Sequence, residues 1–406
     1  MIPTLHGTPY PLRLLVLPVD AHANESVARY AASMGRNLGR EGDDVYLAIT
    51  PAGWCTPLET DEPMQFVAWQ VAGAGADGDS SRRAEKYRAQ AAGATRMLVR
   101  SVQPECVLFV SGYAGHGMPL LEGVAAAGVP AAVVVLDAHD PHAAAAARPM
   151  FIRRNACAHA WVAVTTHARR VLARRLHCPL DAFEVCPEGT PLNPHASPSE
   201  TAARRAAVHA ALGLPDEATM VLARGRMDED SGCLDWAEAI AAVSGEFPEA
   251  RFVWLGHGPL QHSMENALRH TPAASRVQML REAVAPAGIE QSADLAIFPQ
   301  RVSRPGLAIG WAMTAGVPII ATAVDPVLEI VRPMREGLLC AKANPANLAE
   351  ALRHALHHPD AMRAMANAAY LRIQDYSEER AVHALRPLLE RLSVLRGTVR
   401  GTGGRR

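Results

Sequence analysis

Lysine is almost absent from this 406-residue chain. Only Lys86 and Lys342 are present, so nearly all of the 40 basic residues are arginines. Any anion that the protein binds must therefore be held by arginine, by histidine or by backbone amides. The basic residues are balanced by 41 acidic ones to a formal net charge of −1. This balance gives no reason to expect broad nucleic-acid binding.

The sequence also lacks paired cysteines and long apolar runs. Its seven cysteines are scattered and include no Cys-x-x-Cys pair, so neither a disulfide framework nor a thiolate zinc site is expected.

No run of eighteen or more apolar residues occurs, and the first twenty residues do not resemble a signal peptide. We therefore expect a cytoplasmic protein without metal or cofactor. Four arginines near the end (Arg396, Arg400, Arg405, Arg406) leave peripheral contact with an anionic inner membrane surface open.

Hydrophobic residues make up 49% of the chain, which is enough for a sizeable core, and the length is typical of two or three domains. In the first half, stretches with helical spacing such as Glu25–Arg40 and Arg82–Arg100 separate short apolar runs. The alternation predicts an open parallel sheet covered on both faces. The runs that we interpret as buried strands are Leu14–Val19, Val45–Ile49, Val107–Val110, Ala131–Leu136 and Trp161–Val164.

A proline-rich stretch, Pro187–Glu200, interrupts this pattern and is typical of a crossing between domains. A second alternation of strands and helices follows it and ends in helices up to Leu395. The sequence therefore predicts an α/β protein of two Rossmann-like, doubly wound domains that face each other across a cleft. The predicted divisions are an N-terminal domain over 1–187, a C-terminal domain over 188–375, a terminal helix over 376–395 that packs back toward the N-terminal domain, and a flexible tail over 396–406.

One glycine motif points to a different function. The segment GAGADG matches G-x-G-x-x-G at Gly73, Gly75 and Gly78, after a possible strand. However, the motif belongs to the third strand–helix repeat of the chain. In addition, no acidic residue at a strand end follows about twenty residues later to bind a ribose. We therefore favour a flexible loop, and a nicotinamide-dependent dehydrogenase is only a third hypothesis.

Histidines are common enough to need separate interpretation. His354, His357 and His358 lie near a helix end before Pro359, where capping of the last carbonyls explains them better than metal binding. His139 differs because it follows the apolar strand AAVVVLD, at the edge where a ligand is expected. A buried structural histidine is equally compatible with its residue type.

Two segments of the second half have the residue types of a phosphate site. Gly225 and Arg226 lie just after a predicted strand and before a helix, where free amides and a guanidinium suit a diphosphate. A second strand ends in Gly256-x-Gly258, which would allow a ligand to approach the backbone closely. A surface turn is the alternative for each segment.

Taken together, these pieces resemble the family-4 retaining glycosyltransferases of the GT-B fold. The resemblance is collinear and covers about residues 185 to 390. VCPEGTPLN (185–193) resembles V-I-P-N-G-V-D, RGRMDEDSG (224–232) resembles G-R-L-x-x-E-K-G, and RFVWLGHGPL (251–260) resembles L-x-L-V-G-x-G-P-L. Residues 296–331 align without a gap to the family's donor-site stretch, and residues 337–352 resemble the segment after it. In the first half the resemblance is faint, mainly the His-Asp pair at His139.

The departures from the family pattern fall on charged donor contacts. Ser303 and Trp311 stand where the family has two glutamates, Ser231 stands where it has lysine, and the Gly-Gly of the first loop is missing from DAHANES (20–26). The resemblance implies that the two glutamates would meet the donor sugar and the ribose, and that the lysine would meet the diphosphate. It also implies that His139 lies close to the donor sugar and the acceptor. Losing the lysine without compensation would remove a large part of the transition-state stabilisation.

The candidate site follows from the motifs and the resemblance together. Arg226 is the predicted principal phosphate contact, amides around Gly306-Leu307 hold the other phosphate oxygens, and Arg304 or Arg224 replaces the missing cation. Trp311 offers a stacking face. The catalytic candidates are His139 and Arg226; the donor and phosphate candidates are Gly225, Arg226, Ser231, Gly256, Gly258, Arg281, Ser303, Arg304, Gly306, Leu307 and Trp311.

Two functional hypotheses remain open. The first is a glycosyltransferase that moves a sugar from a nucleotide-diphosphate donor to an unknown acceptor (a glycan, a lipid or a small molecule), with retention at the anomeric carbon. The second is a catalytically silent relative that acts as a binding or scaffolding partner of another protein. The loss of three charged contacts motivates the second hypothesis, because a fold alone does not establish chemistry.

Overall fold

A computed structural model describes residues 10–19, 25–49, 62–69, 81–114, 116–138, 157–192, 197–302 and 307–402. The chain divides into two compact units. Unit 1 contains Met1–Glu188 and Glu378–Arg406, and unit 2 contains Gly189–Ser377.

The described residues of unit 1 form a parallel sheet in the order β3-β2-β1-β4-β5-β6-β7. The direction in which strands are added reverses between β1 and β4. The strands are β1 (Arg13–Pro18), β2 (Asp44–Ile49), β3 (Gln65–Ala68), β4 (Cys106–Tyr113), β5 (Ala131–Asp137), β6 (Ala160–Ala163) and β7 (Phe183–Val185). The helices before the crossing are α1 (Glu25–Arg40), α2 (Ser81–Val102), α3 (Met118–Ala126) and α4 (Thr166–Leu176).

Strand β1 shows why the strands of this sheet are almost entirely apolar. Leu14 and Val16 belong to the core on one face of the sheet, and Leu15 and Leu17 belong to the core on the other face. Successive side chains of a strand point to opposite faces, so a strand covered on both sides needs apolar residues at every position. Both faces of the sheet are therefore buried.

Unit 2 has the same construction. Its described residues form a parallel sheet in the order β10-β9-β8-β11-β12-β13, which reverses between β8 and β11. The strands are β8 (Thr219–Arg224), β9 (Ala250–Leu255), β10 (Val277–Leu280), β11 (Leu295–Phe298), β12 (Ile319–Thr322) and β13 (Leu338–Cys340). The helices are α5 (Pro198–Leu212), α6 (Cys233–Val243), α7 (Gln261–Leu268), α8 (Leu307–Ala315), α9 (Asp325–Ile330), α10 (Pro345–His357) and α11 (Pro359–Ile373).

The predicted α/β fold with two doubly wound sheets is confirmed. The predicted strands and most predicted helices begin and end within three residues of the observed ones. Strand β7, with only three residues, was missed because so short a run has no detectable periodicity. The glycines of GAGADG lie outside the described residues.

The last helix, α12 (Glu378–Thr402), belongs to unit 1 and is longer than predicted. The helix was predicted to end at residue 395 but continues to Thr402, and the flexibility of the tail over 396–406 stays a prediction. Arg396 contributes to the attachment of the helix by donating from Nη1 to the carbonyl oxygen of Gln103 at 3.0 Å.

Buried polar contacts attach α12 to the rest of unit 1. Arg386 donates from Nη2 to Asp43 at 2.7 Å and from Nε to Glu41 at 2.7 Å. The side chain of Asp43 is only 1% exposed, so its carboxylate is surrounded by protein and not by water. At the start of the helix, Glu378 accepts from Ser33 at 2.5 Å and from Asn37 at 3.1 Å.

Within the described ranges, no helix combines the length and the apolarity that are needed to cross a membrane. Six of the cysteines lie in these ranges, and all six are free thiols.

We expect Arg386→Ala to lower the free energy of unfolding of unit 1 by about 3–5 kcal/mol, because it leaves the buried carboxylate of Asp43 without its cation. Arg391→Ala is the matched control on the same helix, since Arg391 pairs with Glu184 at the surface. The control should cost less than about 1 kcal/mol. Denaturant unfolding of both variants measures the difference, and equal small losses would contradict the structural role assigned to Arg386.

Candidate functional site

The carboxyl ends of β8 and β11 lie side by side in the unit-2 sheet, where the strand order reverses. In open α/β sheets, ligands bind beyond the carboxyl ends of the strands at such a reversal. We define the unit-2 ligand edge as the loops that follow β8, β9 and β11, namely residues 225–232, 256–258 and 299–301. Most of the sequence-predicted phosphate residues in the described ranges lie on these loops.

Backbone packing fixes the loops that follow β8 and β9. Gly256 has a φ of +141°, and a Cβ at this residue would lie 2.1 Å from the carbonyl oxygen of Gly225. A Cβ on Gly258 would lie 2.4 Å from the carbonyl oxygen of Met227. The indole Nε1 of Trp254 donates to the same Gly225 carbonyl at 2.9 Å. The close approach that Gly256 and Gly258 allow is therefore occupied by the backbone of the loop after β8, whereas the sequence predicted a ligand there.

Arg226 lies at the tip of this fixed loop. Its side chain is 62% exposed, and its Nε lies 3.6 Å from a carboxylate oxygen of Asp228. The following residue, Met227, is buried and donates its backbone N–H to the carbonyl of His257 at 3.1 Å. The backbone of Arg226 is thus held in place while its guanidinium faces solvent, and the described residues give it one ion pair, which is long.

Two further candidate arginines, Arg224 and Arg281, lie at the ends of strands β8 and β10. Arg224, at the end of β8, pairs with Glu290 and, at 3.2 Å, with Glu282. Its charge is already balanced, so the sequence-based suggestion that Arg224 replaces the missing lysine is not supported by the contacts. Arg281 follows β10 and is exposed, and its assignment to the donor site stays a prediction.

Ser231, which stands where the family has lysine, has a local structural role. Its hydroxyl donates to the carbonyl oxygen of Asp228 at 2.7 Å. Its backbone N–H donates to the Asp228 carboxylate at 3.0 Å, and its hydroxyl in turn accepts from the Asp228 backbone N–H at 3.4 Å. These reciprocal bonds form a capping box that closes the short 3₁₀ turn Glu229–Ser231. A direct contact of Ser231 with phosphate stays a prediction.

The donor-site stretch after β11 is only partly described. Ser303, Arg304 and Gly306 lie outside the described residues, and Leu307 is described only as the first residue of α8. Trp311, on α8, packs against Phe298 with ring centroids 5.7 Å apart. Its indole Nε1 is buried, and no hydrogen-bond partner for it occurs among the described residues. The stacking role of Trp311 stays a prediction.

His139, the catalytic candidate of unit 1, lies outside the described residues. The structure shows two other polar rings near the predicted position that sequence reasoning missed. Tyr113 at the end of β4 is the register partner of Asp137 at the end of β5, and the ring of His116 lies 5.1 Å from that of Tyr113. The signal was present, since the polar segment SGYAGHG follows an apolar strand much as His139 does.

A metal centre has no support in the described ranges, which contain no cluster of three or more His, Cys, Asp or Glu side chains suited to a metal ion. The predicted capping role of the histidines near Pro359 agrees with the geometry. His358 places Nδ1 2.9 Å from the carbonyl oxygen of His354, and the two imidazoles stack with centroids 4.4 Å apart.

Comparison with known proteins finds a family match within unit 2. Residues 218–358 match the family model described as Glycosyl transferases group 1. One curated relative is an alpha-D-kanosaminyltransferase of Streptomyces kanamyceticus, which is 27% identical over 44% of this chain and 47% of its own length. Another is a D-inositol 3-phosphate glycosyltransferase of Streptomyces coelicolor, which is 28% identical over 50% of this chain and 46% of its own length. The chain thus spans less than half the length of these relatives.

Solved structures extend the likeness to nearly the whole chain. HepE of Anabaena, in complex with UDP and glucose, has a TM-score of 0.74 at 15% identity over 94% of this chain and 100% of its own. The sucrose-phosphate synthase of Thermosynechococcus elongatus has a TM-score of 0.70 at 18% identity over 93% and 98%. These likenesses establish the two-domain GT-B fold.

Glu188, the last residue of unit 1 before the crossing, is a buried carboxyl group with unusual electrostatics. It is 8% exposed, and the described part of the chain provides no hydrogen-bond partner for its Oε2 atom. Burial raises the pKa of Glu188 to about 7, although the charge of Arg29 opposes the shift. The phenol of Tyr30 is buried close enough to interact with Glu188, and it too has no hydrogen-bond partner within the described ranges. This end of unit 1 therefore favours a protonated Glu188.

We expect the stability of unit 1 to fall as the pH rises from about 4.5 to about 7. In this range the folded protein keeps a proton on Glu188 that the unfolded chain has released, so the unfolded state is favoured by up to about 3 kcal/mol at the upper end. Glu188→Gln cannot ionise and should remove this part of the pH dependence. It should also be more stable than the wild type above pH 7.

Denaturant unfolding at pH 5, 6.5 and 8 measures this effect. Glu85→Gln is the control, because Glu85 is exposed on α2 in the same unit and should leave the pH dependence unchanged. If the wild type and Glu188→Gln show the same dependence on pH, Glu188 is not protonated in the folded protein.

Proposed function

Because residues 218–358 match the group 1 glycosyl transferases, we propose that this protein transfers a sugar from a nucleotide-diphosphate donor to an acceptor, with retention at the anomeric carbon. The donor is a substrate, and the proposed reaction uses no separate cofactor. The family-4 pattern of residues 185–352 supports retention, because that resemblance is to retaining enzymes.

One observation carries the proposal. Arg226 is an exposed cation on a loop whose backbone is fixed by close packing, and the loop lies at the strand-order reversal of the unit-2 sheet. Negative charge builds up on the departing diphosphate during sugar transfer. A cation whose backbone is already in place stabilises that charge without reorganisation of the loop. In the proposal, amides at the start of α8 bind the remaining phosphate oxygens.

The alternative is a catalytically silent relative that binds a partner. It is favoured by the role of Ser231, whose hydroxyl closes a turn, and by the pairing of Arg224 with two glutamates. In that case the fold would be kept while the cations needed for turnover are missing. Binding and turnover must therefore be measured separately.

The relatives suggest the first substrates to test. HepE of Anabaena was solved in complex with UDP-glucose, so UDP-glucose is the first donor to test. GDP-mannose is the second, because a mannosyltransferase relative of Mycobacterium tuberculosis is GDP-mannose-dependent. D-inositol 3-phosphate and 2-deoxystreptamine are the acceptors named for two groups of relatives. We propose a small polyhydroxylated acceptor of this kind as the starting point.

The experiment measures release of nucleoside diphosphate from each donor, with and without each acceptor, and the anomeric configuration of any product by proton NMR. Turnover with a product of retained configuration supports the proposal. If no donor binds and none turns over, the proposal fails. Donor binding without turnover under any condition would favour the silent relative.

We expect Arg226→Ala to weaken binding of UDP by about 1.5–3 kcal/mol, the range for charge-assisted hydrogen bonds. Arg269→Ala is the control, because Arg269 is an exposed arginine near the end of α7, and it bonds only locally with Asn266 among the described contacts. Calorimetric titration of the wild type and both variants measures the change. Equal affinity of the wild type and Arg226→Ala would place the phosphate site elsewhere.

A further inference from the structure

The loop after β11, residues 299–301, is held on several sides. A Cβ on Gly232 would lie 1.8 Å from the carbonyl oxygen of Pro299, so the turn before α6 packs directly on this loop. The hydroxyl of Thr322 donates to the carbonyl of Gln300. The backbone N–H of Arg301 donates to the carbonyl of Asp230 at 2.8 Å. The backbone of Arg301 is therefore fixed beside the turn that carries Ser231.

The side chain of Arg301 is fixed as well. Asp235, in the first turn of α6, accepts from Nε of Arg301 at 2.7 Å and from Nη2 at 2.5 Å. Its carboxylate is only 8% exposed, whereas the Arg301 side chain is 39% exposed. This side-on pairing occupies one edge of the guanidinium. In the described part of the chain, Nη1 has no hydrogen-bond acceptor, so the outer edge keeps its N–H donors for a ligand.

The position of Arg301 matches the place where a cation is missing. Strand β11 is the direct neighbour of β8, and the loops after these two strands meet at the bond between Arg301 and Asp230. Asp230 directly precedes Ser231, where the family resemblance implies a lysine that meets the diphosphate. The backbone of Arg301 thus lies beside the turn that carries Ser231, the position where the resemblance implies a lysine.

We propose that Arg301 binds the diphosphate of the donor together with Arg226, and that Asp235 is a positioning residue that holds Arg301 for this contact. The inference rests on the proposed function, since it concerns the same ligand. Arg301 replaces the charge of the missing lysine from a different strand end. Arg226 approaches from the loop after β8 and Arg301 from the loop after β11, so the two cations flank the strand-order reversal.

The other described arginines at these strand ends fit the role less well. Arg224 is balanced by two glutamates, and Arg281 follows the edge strand β10, which is two strands away from β8. Arg301 also has a carboxylate partner, but its planar guanidinium has five N–H donors, and only one edge is occupied by Asp235. A guanidinium that is already oriented loses less conformational entropy on binding phosphate than a mobile side chain does.

Calorimetric titration with UDP and with uridine tests the proposal, because the two probes differ only by the diphosphate. We expect Arg301→Gln to weaken UDP binding on the order of 10- to 100-fold and to leave uridine binding unchanged. Arg301→Lys should recover only part of the affinity, since an ammonium group cannot bind Asp235 and phosphate with one rigid plane. The loss caused by Arg301→Gln should shrink at high salt, because salt screens an exposed charge contact.

The role of Asp235 is tested by a double-mutant cycle. Asp235→Asn alone should weaken UDP binding by a smaller factor than Arg301→Gln, and it should have no further effect in the Arg301→Gln background. A purely structural role of Asp235 would instead lower UDP and uridine affinity together in both backgrounds. Arg353→Gln and Glu246→Gln are matched controls, because this pair also links an arginine to the α6 region, at 2.8 Å, but beyond the opposite end of the helix. Both controls should bind UDP as the wild type does.

The possible failures are distinguishable. If the wild type binds none of UDP, GDP, ADP and dTDP, the proposed function fails and this inference fails with it. If the wild type binds one of them and Arg301→Gln binds it equally well, only the role of Arg301 is overturned. If Arg301→Gln loses affinity for UDP and uridine alike, Arg301 maintains the fold of the loop and does not contact the diphosphate.

Discussion

The contact between Gly256 and the carbonyl of Gly225 is the constraint on which the unit-2 ligand edge depends. A side chain at residue 256 would collide with that carbonyl, which also accepts a hydrogen bond from Trp254. The two loops therefore form one layer of backbone above the sheet. Arg226 projects from this layer, so its position is set by main-chain packing. A cation placed in this way is suited to bind a diphosphate without prior rearrangement of the loop.

The roles of the arginines in this lysine-poor protein depend on their partners. Arg386 neutralises a carboxylate in the interior and so stabilises unit 1, whereas Arg224 is balanced by two glutamates at the end of β8. Arg226 has only a long, exposed ion pair. Arg301 is intermediate, because a buried aspartate orients it while one edge stays available. Burial and geometry thus determine whether an arginine is occupied by carboxylates of the protein or keeps donors exposed to solvent.

Glu188 shows the opposite case, a buried acid without a full set of partners. Its carboxyl group is most stable when protonated, because desolvation outweighs the attraction of Arg29. It belongs to the VCPEGTPLN segment, which the resemblance places between the two domains. In unit 1 the buried carboxylate of Asp43 is thus paired with an arginine, whereas burial favours the protonated form of Glu188.

Local sequence patterns were enough to predict the two α/β sheets, nearly all of their strands, the longer helices, and the candidates Gly225, Arg226, Gly256 and Gly258. Apolar periodicity and glycine placement are local properties, so they can be interpreted without the fold. Which arginine is balanced and which is available depends on contacts that form only in the folded chain. Arg224 and Glu290 are 66 residues apart in the chain, and so are Arg301 and Asp235. No local pattern links such residues, because their contacts arise only when parallel strands bring distant loops to one edge of the sheet.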